Sequence, residues 1–468
     1  MSVQHAVLED RIGPTKALCR WAADLRFDDI DPVALARTRA HTLDSIGVCV
    51  AGSQEDVARI AAETLTDVGV SGDVPVAGTG LRADMLSAAF LMGTGCHGLE
   101  LDDGFRPGAV HPGCVVIPTA LAVAATVNPS GQRFLTSIVA GYEVAARIAA
   151  LVHPKPRWRG FHNTPMVGVF AAATVTAVLK GFDADTLESA FGLAASSSSG
   201  IRSYVDGGDV KRIHPGLAAR DGILSALLAE KGHQGARDVL EIPSGFFHAF
   251  AGDEAVGADA DIFQAGGQTN SPFAIADCYV KPHACCRHLH PGIDAVLDIL
   301  IDNDLAPDDV ASIDVATYRV AATHGIIGWS EMTTAQMSYP FVLAAAIQHR
   351  SVVLSHFWEA GRCDESVLRH CDKVRVAADD GLDATYPEKR PARVELRTVD
   401  GRSFTKQVDE PLGSATNQLT DDRLQEKFLG LAAPVLGQDA AKDVLERIWA
   451  LDAADSVHPF IDRLRAGD

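Results

Sequence analysis

A histidine followed by Pro-Gly is the pattern in this sequence that most directly indicates chemistry. The tripeptide occurs three times, beginning at His111, His214 and His290, and each copy precedes an Ala- or Val-rich segment with helical spacing. Because proline suits the first turn of a helix, each histidine is predicted to lie at or just before a helix N-terminus. There, free backbone N–H groups attract anions, and the helix dipole keeps the imidazole neutral and able to take a proton. The alternative is that proline is a common helix starter and histidine a tolerated neighbour.

The segment before the first copy is rich in charged residues. In "HGLELDDGFRPGAVHPG" glycine and proline indicate a loop, which carries Glu100, Asp102, Asp103 and Arg106 ahead of His111. A carboxylate beside an imidazole fixes its tautomer and raises its basicity, so Asp102 is a catalytic candidate that orients a histidine. The other three charged residues of the loop are candidates for binding substrate. The alternative is a solvated acidic turn.

The second copy follows a lysine. In "SYVDGGDVKRIHPG", Lys211 precedes His214, and a lysine at a helix N-terminus is a candidate clamp for a carboxylate or a developing enolate. The alternative is ordinary surface charge. A further histidine, His162 in "RWRGFHNTPMVG", is predicted to lie just before a helix with Asn163 or Thr164 as its cap.

The third copy begins at the end of the stretch "HACCRHLHP", which holds two cysteines and three histidines. Zinc sites need ligands that converge, whereas adjacent Cys285 and Cys286 in a strand point to opposite faces. The sequence has no Cys-x-x-Cys pair, which also disfavours an iron–sulfur cluster. We therefore predict no metal here. His290 is the catalytic candidate of this segment, and Arg287 is a candidate for binding substrate.

The elements that position these residues change in character along the chain. Ala-rich segments with helical spacing run to about residue 270, whereas "ASIDVATYRV", "DKVRVAAD" and "ARVELRTVDGRSFTKQV" alternate like strands, with Asp400-Gly401 as a hairpin turn. Amphipathic helices then return. We predict a mainly α protein with a large all-helical domain from residues 1–270 and 411–468, and a smaller inserted α+β domain at 271–410.

Charge and composition exclude several classes of function. The net charge of −20 repels nucleic acid and anionic membranes, so we expect neither as a partner. Nine scattered cysteines without a framework, and an N-terminus without a signal-like apolar region, indicate a reduced, cytoplasmic protein. "GTGCHG" matches a dinucleotide-binding pattern but follows a helix-like segment instead of a strand, so we discount it.

Six blocks of the sequence, in order from about residue 40 to residue 430, resemble the MmgE/PrpD family. They are "HGLELDDG…HPGCVVIPTALAVA", "GFHNTPMVGVFAAA", "VKRIHPGLAARDGILSALLAEKG", "KPHACCRHLHPGIDAV", "MSYPFVLAAAI" and "LGSATNQLT…KF". The resemblance implies a helical domain from both chain ends and an α+β lid domain. It also implies a homodimer, a small polycarboxylate substrate, and catalysis without metal or organic cofactor.

The resemblance also implies roles for individual residues. His111, His162, Lys211 and His290 match the family's catalytic positions. His214 lies in the lysine block without a catalytic role there, and we keep it as a candidate for binding substrate. We expect His162 or His111 to be the base, Lys211 and His290 to bind carboxylates, and Asp102 or Asp103 to orient the imidazoles.

Three positions depart from the decarboxylase and dehydratase patterns. Glu100 and Gly104 stand where those patterns have aspartate and threonine, and Phe341 stands where the decarboxylase has tyrosine. The loss of two hydroxyl groups removes expected substrate hydrogen bonds and argues against a cis-aconitate decarboxylase.

Dehydration, decarboxylation and epimerisation of small polycarboxylates all require stabilisation of a carbanion or enediolate next to a carboxylate. We predict first a hydro-lyase of the 2-methylcitrate dehydratase type, the commonest named activity of the family. An epimerase or isomerase of a dicarboxylate such as iminodisuccinate comes second, and a decarboxylase third. From a different class, a non-catalytic metal- or ligand-binding protein would use the His/Cys cluster.

Overall fold

Capped, Ala-rich segments form most of the structure, a computed structural model that describes residues 12–252, 262–264 and 271–466. The prediction of a mainly α protein is confirmed. The chain divides into two units, Met1–Tyr279 with Thr420–Asp468, and Val280–Leu419. The bounds of the second unit lie slightly C-terminal to the predicted ones, and the predicted boundary at residue 270 falls outside the described residues.

In its described part the first unit is helical apart from two short antiparallel strands of two residues each, Val74–Pro75 (β1) and Arg82–Ala83 (β2). Its helices are α1 (Pro14–Asp24), α2 (Pro32–Gly52), α3 (Asp56–Asp67), α4 (Met85–His97), α5 (Gly113–Val127), α6 (Gly131–Val152), α7 (Lys155–Trp158), α8 (Asn163–Lys180), α9 (Ala184–Ala194), α10 (Val210–Glu230), α11 (Phe246–Ala251) and, after the second unit, α19 (Asp421–Leu436), α20 (Gln438–Trp449) and α21 (His458–Ile461).

Helix α6 lies in the core of this unit. Among the described residues, α6 is the one helix whose length and apolar composition would allow it to span a membrane. In the protein, 89% of its most apolar 18-residue segment is buried. The core helix of a soluble protein passes the same test, so the finding is weak evidence for a membrane span.

Helices α4 and α10 cross at two glycines. A Cβ atom added at Gly93 would lie 2.8 Å from the Cα of Gly216, and one added at Gly216 would lie 2.2 Å from the carbonyl oxygen of Phe90. Gly93 belongs to "GTGCHG", which is the end of α4, so the segment before this motif is a helix and not a strand, as predicted. The glycine of the second His-Pro-Gly tripeptide therefore serves helix packing.

The C-terminal segment completes the first unit. Helix α19 packs on α2, where Gly47 leaves room for the ring of Phe428. Lys427 Nζ lies 2.5 Å from Asp44 Oδ1 and 3.3 Å from the carbonyl oxygen of Leu101. Residues from near both ends of the chain thus support the loop that follows α4.

The second unit contains a four-stranded sheet with the order β4-β3-β5-β6, in which β3 and β4 are parallel and the other neighbours antiparallel. The predicted strands are confirmed, and Gly401, with φ 87°, makes the predicted hairpin turn. In chain order its elements are α12 (His290–Asp302), β3 (Val310–Thr317), α13 (Arg319–Ala322), α14 (Met332–Ala335), α15 (Tyr339–His349), α16 (Glu359–Arg362), α17 (Glu365–Cys371), β4 (Val374–Ala378), α18 (Asp380–Asp383), β5 (Ala392–Thr398) and β6 (Ser403–Val408).

Candidate active site

The loop between α4 and α5, residues 98–112, brings most of the predicted residues together in the first unit. Glu100 has a left-handed backbone with φ 54°, a conformation that non-glycine residues rarely adopt and that clusters at functional sites. Asp102 and Asp103 are fully buried, and Arg106 is half-buried. The loop is thus an ordered part of the protein core, not the solvated acidic turn of the alternative interpretation.

His111 is held in one tautomer. Its Nδ1 lies 2.6 Å from the carbonyl oxygen of Asp103, and because a carbonyl only accepts, Nδ1 must carry the proton. The neutral ring therefore has its lone pair on Nε2. The side chain is 18% exposed, more than those of the neighbouring histidines, so this nitrogen belongs to the most accessible imidazole of the cluster.

Asp103 fixes the loop from behind. Its Oδ1 accepts a hydrogen bond of 3.0 Å from the N–H of Gly113, and its Oδ2 accepts one of 2.7 Å from the hydroxyl of Tyr142. His41 Nδ1 lies 2.9 Å from the same Oδ2. These contacts tie the loop to α2, α5 and α6. The predicted contact of Asp103 with substrate stays a prediction, and the geometry gives this residue a positioning role.

Asp102 pairs with a histidine that the sequence analysis did not select. Asp102 Oδ2 lies 2.7 Å from His97 Nδ1 and 3.5 Å from His111 Nδ1. His97 is the last residue of α4 and is fully buried. The structure therefore places Asp102 beside two imidazoles.

His162 and His214 form a second pair. His162 is the N-cap residue of α8, whereas Asn163 or Thr164 was predicted as the cap. The Nδ1 atoms of the two histidines are 3.1 Å apart, so one ring donates a proton there and the other accepts. The ring that donates keeps the lone pair on its Nε2, and the ring that accepts presents Nε2–H. The pair thus offers one base and one proton donor.

The prediction that each tripeptide histidine begins a helix is wrong for His214. It lies inside α10, one turn after the start, with Pro215 also inside the helix. The crossing with α4 at Gly216 explains why the motif continues within a helix. The histidine still faces His162, and both residues are at least nine-tenths buried.

Burial determines the charge state of this pair. It lowers the pKa of His162 well below its usual value, and electrostatic interaction with the nearby His97, Lys211, His111 and His214 lowers it further. The pKa of His214 falls to about 4, first through burial and then through His97 and Lys211. Both imidazoles are therefore neutral near pH 7.

Lys211 lies in the first turn of α10 and forms an ion pair with Glu100. Its Nζ also lies 5.9 Å from the ring centre of Tyr204, which packs edge-on against His162. The structure therefore places a cation and a carboxylate beside neutral imidazoles. Such a set binds a carboxylate and moves protons next to it.

One group of described residues has the spacing of metal ligands. His97, Asp102 and Cys114 each offer a ligand atom, and these atoms lie within 4.8 Å of one another. The carboxylate already accepts the hydrogen bond from His97, and the Sγ of Cys114 donates to the carbonyl oxygen of His111 at 3.2 Å. We therefore describe these residues as a hydrogen-bonded group.

His290 belongs to the second unit and is fully buried. Its Nε2 lies 3.3 Å from the carbonyl oxygen of Cys285, and its Nδ1 accepts a hydrogen bond of 2.9 Å from Arg287. Burial, followed by the charges of Arg287, His283 and Lys281, lowers its pKa well below the usual value. The ring is neutral, and both of its nitrogens have partners.

Arg287 holds a loop of the second unit. Its guanidinium donates to the carbonyl oxygens of Pro411 and Leu412 and to the hydroxyl of Ser414, at 2.7 to 3.1 Å. Asp294 supports the same loop by accepting from the N–H of Leu412 at 2.7 Å. The predicted substrate contacts of His290 and Arg287 stay predictions.

The cysteine-rich segment has a different backbone from the strand that we assumed. Residues 280–289 are all described by the structure, and none of them lies in a strand. Arg287–Leu289 is a 3₁₀ turn that leads into α12. Cys285 is fully buried, and His283 Nε2 lies 2.8 Å from Asp294 Oδ1. His283 therefore has a carboxylate partner of its own.

The sequence analysis missed His97, Tyr204, Tyr142 and His41. For His97 the sequence did offer a signal. It is the first residue of the quoted block "HGLELDDG", directly after an apolar helical segment and five residues before Asp102. The other three come from distant parts of the chain, and only the fold brings them to the loop.

The comparisons with known proteins cover nearly the whole chain. The MmgE/PrpD N-terminal domain matches residues 16–258, and the C-terminal domain matches residues 283–452. A cis-aconitate decarboxylase of Aspergillus terreus is 25% identical, over 99% of this chain and 98% of its own length. A cis-aconitate decarboxylase-like protein of Aspergillus oryzae is 27% identical over 98% of each chain. The human cis-aconitate decarboxylase is 24% identical over 92% of this chain and 89% of its own. The chain belongs to the MmgE/PrpD family.

Proposed function

We propose that this protein is a lyase that acts on a small polycarboxylate by acid–base chemistry. The observation that carries the proposal is the tautomer of His111, whose proton on Nδ1 leaves Nε2 as a base beside the neutral His162–His214 pair. Lys211 supplies a positive charge for a substrate carboxylate or the enediolate that forms when a neighbouring C–H proton leaves. Relatives named as cis-aconitate decarboxylases over nearly the whole chain support a tricarboxylate as substrate.

Within this class we propose dehydration first. In dehydration a base removes a C–H proton, the C–O bond breaks, and a second group gives a proton to the departing hydroxyl, so that water leaves and a double bond forms. A base nitrogen and an Nε2–H donor in one cluster fit these two steps. The substrate would be a hydroxylated tricarboxylate such as 2-methylcitrate.

Decarboxylation is the second candidate, because the relatives reported above carry that name. In that reaction the C–C bond to a carboxylate breaks, CO₂ leaves, and the carbanion takes a proton from a neighbouring donor. This sequence has Gly104 and Phe341 where hydroxyl-bearing residues are expected in a decarboxylase, and both positions bear on the choice between dehydration and decarboxylation. A Cβ atom at Gly104 would lie 2.4 Å from the hydroxyl of Tyr279, and Phe341 is buried with its ring 5.7 Å from that of Phe357. The phenol of Tyr279 thus occupies the space that a threonine at 104 would need.

The test is incubation of the purified protein in D₂O with 2-methylcitrate, citrate, cis-aconitate and iminosuccinate-type dicarboxylates, followed by NMR. Dehydration gives an alkene and no CO₂ from the hydroxylated substrates. Release of CO₂ from cis-aconitate identifies the second candidate. Deuterium exchange without net loss would mean an epimerase, and no turnover of any member would contradict the lyase proposal.

We also propose that the protein works as a cytoplasmic homodimer without a metal or an organic cofactor. The support is the resemblance of its sequence blocks to the family, together with its charge and cysteine usage. Light scattering of the eluted protein would give the oligomeric state. Stoichiometric zinc or iron in elemental analysis, lost in a Cys285→Ser/Cys286→Ser variant, would favour the non-catalytic metal-binding alternative.

A further inference from the structure

His97 is a buried ionisable residue for which the proposed chemistry gives no role. Its Nδ1 donates to Asp102 Oδ2 at 2.7 Å, and both side chains are fully buried. The other ring nitrogen, Nε2, is buried without a hydrogen-bond partner among the described residues. A buried polar nitrogen without a partner costs free energy, so its retention calls for an explanation.

The position of this residue supplies one. The His97 ring centre lies 5.8 Å from that of His162, with the two rings stacked at 26°, and 5.2 Å from that of His111. Asp102 joins the same three-residue arrangement, because its Oδ2 is also 3.5 Å from His111 Nδ1. His97 thus contacts both histidines that we propose as bases.

The helix ends around the cluster have opposite polarity. His97 ends α4, where backbone carbonyls and the negative end of the helix dipole favour a cation. His111 stands just before Pro112, the N-cap residue of α5, and His162 caps α8, so both lie at positive helix ends that disfavour a cation. The Asp102 carboxylate lies beside His97 as well, so the surroundings of this ring are the most negative in the group.

We propose that His97 is a positioning residue that, together with Asp102, orients His111 and His162 and favours their neutral, proton-accepting forms. The stacking contact and the shared carboxylate provide the orientation. The electrostatic effect of His97 on its neighbours provides the bias. The proposal rests on the proposed function only in treating His111 and His162 as the bases.

The electrostatics of the neighbours agree with this role. The charge of His97 is the first cause after burial in lowering the pKa of both His162 and His214. The ionisable groups that surround His97 and His162 come from five elements of the first unit. They are Asp102, His111, Cys114, His162, Tyr204, Lys211 with its partner Glu100, and His214.

The test compares His97→Asn with the wild type and with His97→Leu. Asparagine still donates to Asp102 but carries no charge, whereas leucine removes the donor as well. In His97→Asn we expect the pKa of His162, followed by NMR of ¹³C-labelled histidine without substrate, to rise by on the order of one pH unit. The acid limb of the kcat/KM profile, which reports the base of the free enzyme, should move to higher pH by a similar amount.

His97→Leu should show the same shift and an additional loss of kcat at every pH, because His111 and His162 are no longer oriented. His233→Asn, an exposed histidine of the same unit, is the matched control and should change neither readout. The resonance of His162 is assigned by its absence from the spectrum of His162→Gln.

A uniform loss of activity at all pH values, with an unchanged titration of His162, would overturn the proposal and leave His97 as a packing residue. If His97→Asn does not fold, His97→Gln carries the same prediction with a longer amide. A wild-type protein without lyase activity would contradict the proposed function, whereas the substrate-free titration would still decide the role of His97.

Discussion

The first and third His-Pro-Gly tripeptides have the same sequence and opposite local chemistry. His111 donates from Nδ1 to a backbone carbonyl, keeps its lone pair on Nε2 and is partly exposed. His290 accepts a hydrogen bond from Arg287 with the lone pair on Nδ1, donates from its Nε2–H to the carbonyl oxygen of Cys285, and is fully buried. In these two copies the tripeptide therefore marks the start of a packed helix. The partners of each ring decide whether the histidine is able to take a proton.

The largest effect that we expect is a loss of activity from a substitution in the first unit. Replacing Lys211 with alanine removes the cation beside the neutral imidazoles and breaks its ion pair with Glu100. We expect kcat to fall about 100- to 1,000-fold, as for loss of one group that stabilises an oxyanion. Steady-state kinetics with the substrate identified by NMR measure the effect.

Lys231→Ala, at the exposed other end of the same helix, is the control and should retain activity. A near-normal kcat in Lys211→Ala would contradict the interpretation that the reactive groups lie in the first unit.

The second prediction concerns the hydrogen bonds that Arg287 donates to His290 and to the neighbouring loop. Arg287→Leu removes the donor to His290 Nδ1, to the carbonyl oxygen of Leu412 and to the hydroxyl oxygen of Ser414, whereas the carbonyl oxygen of Pro411 keeps the hydrogen bond from Ser414. Because buried acceptors without donors are costly, we expect the free energy of unfolding to fall by about 3 kcal/mol. Urea denaturation followed by circular dichroism measures this change. Arg402→Leu, which removes an exposed ion pair of the same unit, should cost less than about 1 kcal/mol. Equal effects of the two variants would show that the Arg287 contacts contribute little.

The glycines of the tripeptides test whether packing explains the repeated motif. Gly216→Ala places Cβ 2.2 Å from a backbone oxygen, whereas Gly292→Ala places it 2.7 Å from the ring of Tyr339, a side chain and not backbone. We expect a loss of about 1–3 kcal/mol for Gly216→Ala and a smaller loss for Gly292→Ala, measured by thermal denaturation. Gly430→Ala, in helix α19 with open space around it, should be neutral or stabilising. The reverse order would contradict the packing explanation.

The smallest expected effect is on the pH dependence of stability. The pKa of His214 is about 4 in the folded protein against a usual value of 6.5, so the unfolded chain binds a proton first as pH falls. Its contribution to the free energy of unfolding is therefore present above that window and is lost as pH falls through it. Urea midpoints measured from pH 7 to pH 4.5 should decline less steeply in His214→Gln than in the wild type. An unchanged slope would mean that His214 is not buried as a neutral ring.

Periodicity and turn chemistry predicted much of the fold. The alternation of "ARVELRTVDGRSFTKQV" and the Asp400-Gly401 turn correctly predicted the β5–β6 hairpin, because a half-buried strand and a positive φ leave local signatures. His214 shows the limit of such reasoning. Proline normally starts a helix, yet here the crossing of α10 with α4 keeps it inside one.

The site was predictable where charge and helix ends lie close in sequence, as for Asp102, His111 and His162. Tyr142 and His41 reach Asp103 from other helices, and no local pattern marks such a contact. Tautomers are also set by tertiary contacts. The carbonyl that fixes the proton of His111 belongs to a loop whose shape depends on the whole first unit.

The bond from Lys427 to the carbonyl of Leu101 and the pairing of the same lysine with Asp44 have a consequence for biosynthesis. The loop of residues 98–112 leaves the ribosome early, but its support arrives more than 300 residues later. Because domains fold as units once their segments are available, the nascent chain must wait with an incomplete site until α19 emerges. A ribosome stalled before that point would display a helical intermediate whose reactive loop is not yet supported.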